Sequence, residues 1–137
     1  MKKWRIILIA LIGTLQLSAF AAPKEKKEKA IESQRVYMFG VGIDFNDSTI
    51  YLTDVQHLDS IVVNSDKSIQ NQVNYSLQLK VYLEGILGEN DQTCAVIYSP
   101  KKRKLEKRFI KMRKRYQADE SKILKQIGTD AFTFQKR

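Results

Sequence analysis

Apolar residues recur at every second position near the start of the folded chain, over residues 35–45. The odd positions from Tyr37 to Phe45 are all apolar, whereas the even positions pass from Val36 and Met38 to glycine and aspartate. This period of two, built from aromatic and β-branched side chains, predicts a β-strand.

A turn and a second strand follow directly. Asn46 and Asp47 carry short polar side chains that bond to their own backbone, which is typical of a turn. Residues 48–55 return as a strand, so the two stretches together predict a β-hairpin. A short edge strand is expected near residues 61–63.

The second half of the chain predicts helices separated by strands. Residues 74–87 place apolar side chains at helical spacing, and Gly88 can end this helix in a left-handed conformation. Residues 93–98 are apolar at both parities, which indicates a central strand. A short final helix over residues 119–127 and a last strand over residues 131–134 complete the pattern.

The most highly charged segment, residues 101–115, also has a helical apolar period. Four apolar residues recur at i, i+4, i+7 and i+11, and we call them the apolar stripe: Leu105, Phe109, Met112 and Tyr116. The stripe predicts a helix with one face packed on a core and densely basic faces elsewhere. Ser99 is expected to cap this helix, and Pro100 suits its first position because a missing N–H costs nothing there.

The element order β-β-α-β-α-(α)-β predicts a single small α+β domain over residues 35–137. We expect two layers, in which a sheet of about four strands carries both main helices on one face, because each helix has one apolar stripe to bury. No internal repeat and no second domain is visible in the sequence.

Residues 1–21 have the pattern of a secretory signal peptide. A positive start precedes an apolar run over residues 6–17, and small residues flank Phe20 at the expected cleavage site. The run is too short to cross ~30 Å of hydrocarbon comfortably. We therefore expect cleavage before Ala22 and a periplasmic or extracellular protein, with residues 22–34 as a charged linker.

Charge is strongly polarised along the chain. The whole protein carries a formal net charge of +9, and removal of the signal peptide leaves 21 basic against 15 acidic residues. Residues 35–99 contain eight acidic and three basic residues, whereas residues 101–115 contain ten basic residues and one acidic residue. A basic helical face binds anions, and in an exported protein these are envelope components rather than DNA or RNA.

No set of residues forms a recognisable catalytic or metal-binding motif. His57 is the sole histidine, and it lies near Asp54 and Asp59 without the further partners that catalysis or metal binding needs. Cys94 is the sole cysteine, and its apolar strand predicts a buried thiol. We expect no enzymatic activity, no cofactor and no metal; a small hydrolase-like enzyme using His57 is the least favoured alternative.

Gly40 and Gly42 stand two apart within the first predicted strand. A dinucleotide-binding loop would need a third glycine between a strand and a helix, so this pair does not predict one. It predicts instead a bulge, or the close approach of another element to a strand face that has no side chains.

The main functional prediction is a non-catalytic interaction module that binds an anionic envelope component or an acidic protein surface through its basic helix. The predicted contact residues are Lys101, Lys102, Arg103, Lys104, Lys107, Arg108, Lys111, Arg113, Lys114 and Arg115. The main alternative is a structural or self-associating protein whose basic helix pairs with its acidic half, within one chain or in a homo-oligomer. Peripheral contact with a membrane also stays open, whereas nucleic acid is not favoured.

Overall fold

The computed structural model describes residues 32–137, which form five strands and two helices. In chain order these are β1 Glu32–Ile43, β2 Thr49–Thr53, β3 Gln56–Val63, α1 Gln72–Val81 with a following π-helical turn Tyr82–Ile86, β4 Thr93–Ser99, α2 Lys102–Ala118 and β5 Ile123–Ile127. The predicted α+β class is confirmed. The predicted signal peptide, and the linker before residue 32, lie outside the described residues.

Strand β1 is the centre of a mixed sheet. Along one edge it pairs antiparallel with β4, and along the other it pairs antiparallel with β2 and then β3. The register fixes these sides, because Gly42 faces both Tyr51 of β2 and Cys94 of β4. Strand β5 adds parallel to β2. Within residues 32–137, β4 therefore has no strand partner on its outer edge.

The two helices lie on opposite faces of the sheet, so the predicted two-layer packing with both helices on one face is wrong. Val36 and Met38 of β1 belong to the buried cluster that includes Leu79 of α1, whereas Phe39 belongs to the cluster that includes Leu105 of α2. Neighbouring residues of a strand point to opposite faces. The domain therefore has three layers, with the sheet in the middle.

The two glycines of β1 explain why its α1 face looked partly polar in the sequence. A Cβ on Gly40 would lie 2.6 Å from Cδ2 of Leu79, and a Cβ on Gly42 would overlap Leu83. Both leucines are fully buried. The close approach predicted for the glycine pair is confirmed, and the element that approaches is α1 with its π-helical turn.

Helix α1 covers most of the predicted residues 74–87 but ends in a π-helical turn. A π turn winds more slowly than an α turn and so shifts the phase of the side chains that follow it. Ile86 and Leu87, whose spacing predicts core positions, are exposed as a result.

The C-terminal elements differ most from the prediction. Residues 119–127 do not form a helix, because β5 occupies Ile123–Ile127 and pairs with β2. Residues 131–134 do not form a strand, yet Phe132 and Phe134 are buried on the α1 face. The buried Gln56 side chain fixes this tail, since its amide donates to the Phe132 carbonyl at 3.1 Å and accepts the Phe134 N–H at 2.9 Å.

Candidate functional site

Helix α2 is anchored by the apolar stripe that the sequence predicted. Leu105 and Phe109 are buried, and Met112 and Tyr116 are half-buried against the same cluster. The Phe109 ring meets the Phe39 ring of β1 edge-on, with 5.3 Å between centroids. Because one side of the helix is fixed in this way, its remaining side chains are presented from a rigid element.

The N-terminal end of α2 is strongly basic. The Ser99 hydroxyl accepts the Lys101 N–H at 3.1 Å, but the helix begins only at Lys102, so Ser99 and Pro100 precede the cap and first positions predicted for them. Lys101 is the N-cap, and no side chain caps the helix. The first turn has no acidic residue. These cations lie at the end of the helix where the backbone dipole is already positive.

Nine of the ten predicted contact residues are exposed. The exposed ones are Lys101, Lys102, Arg103, Lys104, Lys107, Arg108, Lys111, Lys114 and Arg115. Arg113 is half-buried, and its guanidinium lies over the Phe109 ring at 5.5 Å from the centroid. Arg113 therefore packs beside the apolar stripe and has less surface for a partner than the others.

Seven of the nine exposed cations fall into two stripes along the helix. The groove stripe faces β4 at spacing i, i+4, i+7 and i+11, and consists of Lys104, Arg108, Lys111 and Arg115. The outer stripe, placed by 100° of rotation per residue, lies about a quarter turn further round the helix, on the side facing away from the apolar stripe, and consists of Arg103, Lys107 and Lys114. A partner that lies in the groove beside β4 would therefore contact the groove stripe more closely than the outer stripe.

A groove separates the groove stripe from the edge of the sheet. One part, of about 490 Å³, is lined by residues 66–68, by β4 from Val96 onward, and by Lys104 and Arg108. A second part, of about 300 Å³, lies between Ile97 and the later cations of the stripe. The two parts share Ile97 and Arg108, so they form one depression beside β4.

Few acidic groups offset the charge of α2. Among residues 32–137, its sole ion pair is Lys102 with Glu106 at 3.9 Å, one helical turn apart. In the acidic stretch, the Arg35 guanidinium lowers the pKa of Asp59, and Lys80 lowers that of Glu84. In the described residues no acidic side chain of 35–99 lies within 4.0 Å of an α2 cation, although Asp66 lines the groove.

The other residues singled out in the sequence are not brought together. His57 is exposed on β3 beside the Tyr37 ring, at 6.0 Å between centroids. Asp54 accepts a hydrogen bond from the Gln126 amide, and Asp59 pairs with Arg35. Residues 32–137 contain no group of three His, Cys, Asp or Glu side chains placed to hold a metal ion.

Cys94 lies in a strand, and Asp44 lies at the start of a turn. Cys94 is half-buried in β4, and burial raises the pKa of its thiol to about 11. The Asp44 carboxylate accepts the Asn46 N–H at 2.8 Å, which is the turn geometry expected of a short acidic side chain.

One surface was missed by sequence reasoning. Val73, Leu77 and Val81 recur every fourth residue along α1 and are 81%, 51% and 61% exposed. They lie on a different side of α1 from the buried Tyr75 and Leu79. The interval of four residues could have indicated this surface, but the core residues of the same segment give the more pronounced helical pattern.

Comparison of the chain with protein-family models, with curated proteins and with solved structures gives no significant match. Within residues 32–137, neither helix is long and apolar enough to cross a membrane. The groove and the cations of α2 are therefore the features from which a function can be argued.

Proposed function

We propose that this protein is an exported, non-catalytic interaction module that binds an anionic envelope component or an acidic partner protein through α2. The observation that carries the proposal is the set of nine exposed cations on one helix, of which only Lys102 has an ion-pair partner in the described chain. Unpaired clustered cations hold a layer of mobile counterions, and an anionic partner gains affinity by releasing them.

Rigid presentation supports this role. The apolar stripe holds α2 against β1, β2 and β4, so the cations stay in place without ordering a flexible segment. Binding then loses less conformational entropy than it would in a disordered basic tail.

The same anchoring argues for surface contact rather than insertion into a lipid bilayer. Insertion of an amphipathic helix requires its apolar face to enter the boundary between head groups and acyl chains. In α2 that face packs on the sheet, with Leu105 and Phe109 buried. Contact with an anionic membrane would therefore be peripheral and would depend on charge alone.

The proposal is tested with three immobilised anionic materials: phosphatidylglycerol vesicles, poly-L-glutamate and an envelope fraction. The purified protein is expected to bind at least one of them at ~50 mM salt, where screening is weak. Reversal of Arg108, Lys111 and Arg115 to glutamate should weaken that binding at least about tenfold, because three attractions become repulsions.

The fold of the triple variant must first be shown to match that of the parent. Circular dichroism and the urea midpoint of the triple variant should match those of the parent, since all three residues are exposed. No detectable binding to any of the materials at low salt would overturn the proposal, as would binding that the triple reversal leaves unchanged. Sedimentation at low and high salt tests the alternative, in which copies associate by pairing acidic and basic surfaces.

A further inference from the structure

The outer edge of β4 is an open strand edge beside a row of cations. Along its length β4 pairs with β1 alone in the described chain, from Thr93 to Ser99. An edge strand directs the N–H and C=O groups of alternate residues outward, where they can pair with another strand. In this protein the groove stripe of α2 flanks that edge.

We infer that this groove binds an extended acidic polypeptide segment, which adds to the sheet as a strand beside β4. This inference rests on the proposed function and names the class of partner. Main-chain hydrogen bonds would supply affinity, and alternate side chains of the segment would supply specificity. Those on the α2 face would be acidic, because they would meet Lys104, Arg108, Lys111 and Arg115.

The spacings of the two elements are compatible. Successive cations of the groove stripe are three or four residues apart, which is about 4.5–6 Å along a helix. Side chains on one face of a strand repeat at about 6.6 Å. Lysine and arginine have long flexible side chains that absorb the difference, so each acidic residue of the segment can reach a cation.

The groove also has the surface that an extended backbone needs. Ile97 and Tyr98 contribute apolar atoms along the edge, and Pro100 lines the groove just after the strand ends. The loop before α1 also lines the groove, with one cation and one carboxylate, Lys67 and Asp66. A purely electrostatic site for a small ion would not require a groove that follows four consecutive residues of strand, Val96 to Ser99.

Charge argues against a second copy as the occupant. In an antiparallel pairing of β4 with β4 of another copy, both α2 helices would lie on the same face of the joined sheet. Two groove stripes of four cations each would then face one another, and this repulsion disfavours the dimer. The same cations attract an acidic strand, so the open edge discriminates between partners.

The test uses a synthetic seven-residue peptide in which glutamate alternates with valine, matched to the length of β4. Two derivatives carry N-methyl groups, one on all glutamate amides and the other on all valine amides. These keep the charge, but each blocks hydrogen bonding along one edge of the peptide strand. Affinity for the full chain is measured by titration calorimetry, and hydrogen exchange follows the β4 amides.

The expected result is that the parent peptide binds and slows exchange of β4 amides. One N-methylated derivative should bind at least about tenfold more weakly, because the hydrogen bonds to the edge are lost. Equal binding by all three peptides would show that only charge is recognised and would overturn strand addition, while the proposed function would stand.

Matched pairs of substitutions locate the binding to the groove. Lys104→Glu with Arg108→Glu changes the groove stripe, and Arg103→Glu with Lys107→Glu makes the same change in charge on the outer stripe. The first pair should weaken peptide binding at least about tenfold, whereas the second should have a much smaller effect. Equal loss in both pairs would overturn the assignment to the groove.

Three further outcomes separate this inference from the proposed function. Binding to phosphatidylglycerol vesicles without binding to any peptide would overturn the acidic strand and leave the proposed function in place. Absence of binding to every anionic material would overturn both. A dimer by sedimentation with protected β4 amides and no peptide present would make a second copy the occupant and overturn the inference.

Discussion

At the scale of single residues, glycine decides how closely α1 approaches the sheet. Gly40 and Gly42 leave space that Leu79 and Leu83 fill, so a side chain at either glycine would displace a fully buried leucine. Gly85, in the π-helical turn, has no atom within 4 Å of an added Cβ. Identical substitutions at these sites therefore test packing directly.

Gly40→Ala is expected to lower the free energy of unfolding by about 1–3 kcal/mol, the usual cost of overpacking a core. Gly85→Ala should leave it unchanged or raise it by up to about 1 kcal/mol, because alanine reduces the freedom of the unfolded chain. Urea denaturation of both variants checks the pair. A neutral Gly40→Ala would show that α1 does not lie against β1 as described.

The raised pKa of the Cys94 thiol predicts that the folded protein loses stability at alkaline pH. Burial raises the pKa of its thiol from 9.0 to about 11, so the unfolded chain releases this proton at lower pH than the folded protein. The contribution of the protonated thiol to the free energy of unfolding is fully present below pH 9.0 and is lost as the pH rises towards 11. Burial also raises the pKa of Tyr51, to about 12, which adds to the loss in the same direction.

Urea midpoints measured across this pH interval should fall for the parent protein and fall less for Cys94→Ala. The reaction of Cys94 with iodoacetamide should also be slow below pH 9.0, since the thiolate is the reactive form. A thiol that reacts like a free cysteine at neutral pH would contradict the half-buried position in β4.

At the scale of elements, α2 begins with charges that oppose its own stability. Its first turn contains Lys102, Arg103 and Lys104 and no acidic residue. Cations at a helix N-terminus are unfavourable by a few tenths of a kcal/mol each. Such residues are better explained by a role in binding than by a role in folding.

Arg103→Glu is therefore expected to stabilise the protein by about 0.5–1 kcal/mol. The new carboxylate would favour the positive end of the helix and would pair with Lys107 one turn later. Arg103→Gln, which only removes the charge, should give a smaller gain. Thermal and urea unfolding compare the two variants, and a loss of stability in Arg103→Glu would contradict the described start of α2.

Some helices and strands could be identified from the sequence pattern alone, and others could not. The apolar stripe from Leu105 to Tyr116 spans three turns, long enough to identify α2 and its buried face. Residues 123–127 are too few to distinguish a helix from a strand by period, and β5 is defined by its pairing with β2. Phe132 and Phe134 are two residues apart, a spacing that predicts a strand, but their backbone groups form hydrogen bonds with the Gln56 side chain instead.

The candidate site could be predicted only in part. The ten cations were visible as a cluster, but which of them face β4 depends on how α2 is rotated on the sheet. The open edge of β4 depends on strand order, which is set by contacts far apart in sequence. Residues 66–68 therefore could not be assigned to the groove from local pattern.

At the scale of the whole molecule, the predicted export signal would determine which partners the basic helix meets. The leader pattern over residues 1–21 predicts cleavage before Ala22. Expression of residues 1–137 in a bacterial host should yield, in the periplasm or the medium, a protein whose first residue is Ala22. N-terminal sequencing and fractionation measure this, and an uncleaved chain that stays with the membrane would contradict it.

The sheet gives the two charged parts of the molecule different surroundings. Two acidic residues of 35–99 pair with basic residues of the same stretch, Asp59 with Arg35 and Glu84 with Lys80. The cations of α2 lie on the opposite face of the sheet from α1, and within residues 32–137 they have no ion-pair partner apart from the Lys102–Glu106 pair. In the part of the chain that the structure describes, the positive surface of α2 therefore stays available.

The most direct test of the central claim is the salt dependence of binding between the purified protein and the anionic material that it binds best. If α2 binds by charge, the logarithm of the association constant should fall linearly with the logarithm of salt concentration, by at least about tenfold between ~50 and ~200 mM. Reversal of Arg108, Lys111 and Arg115 should make this slope shallower. A flat dependence, or a slope that the reversal leaves unchanged, would contradict the account.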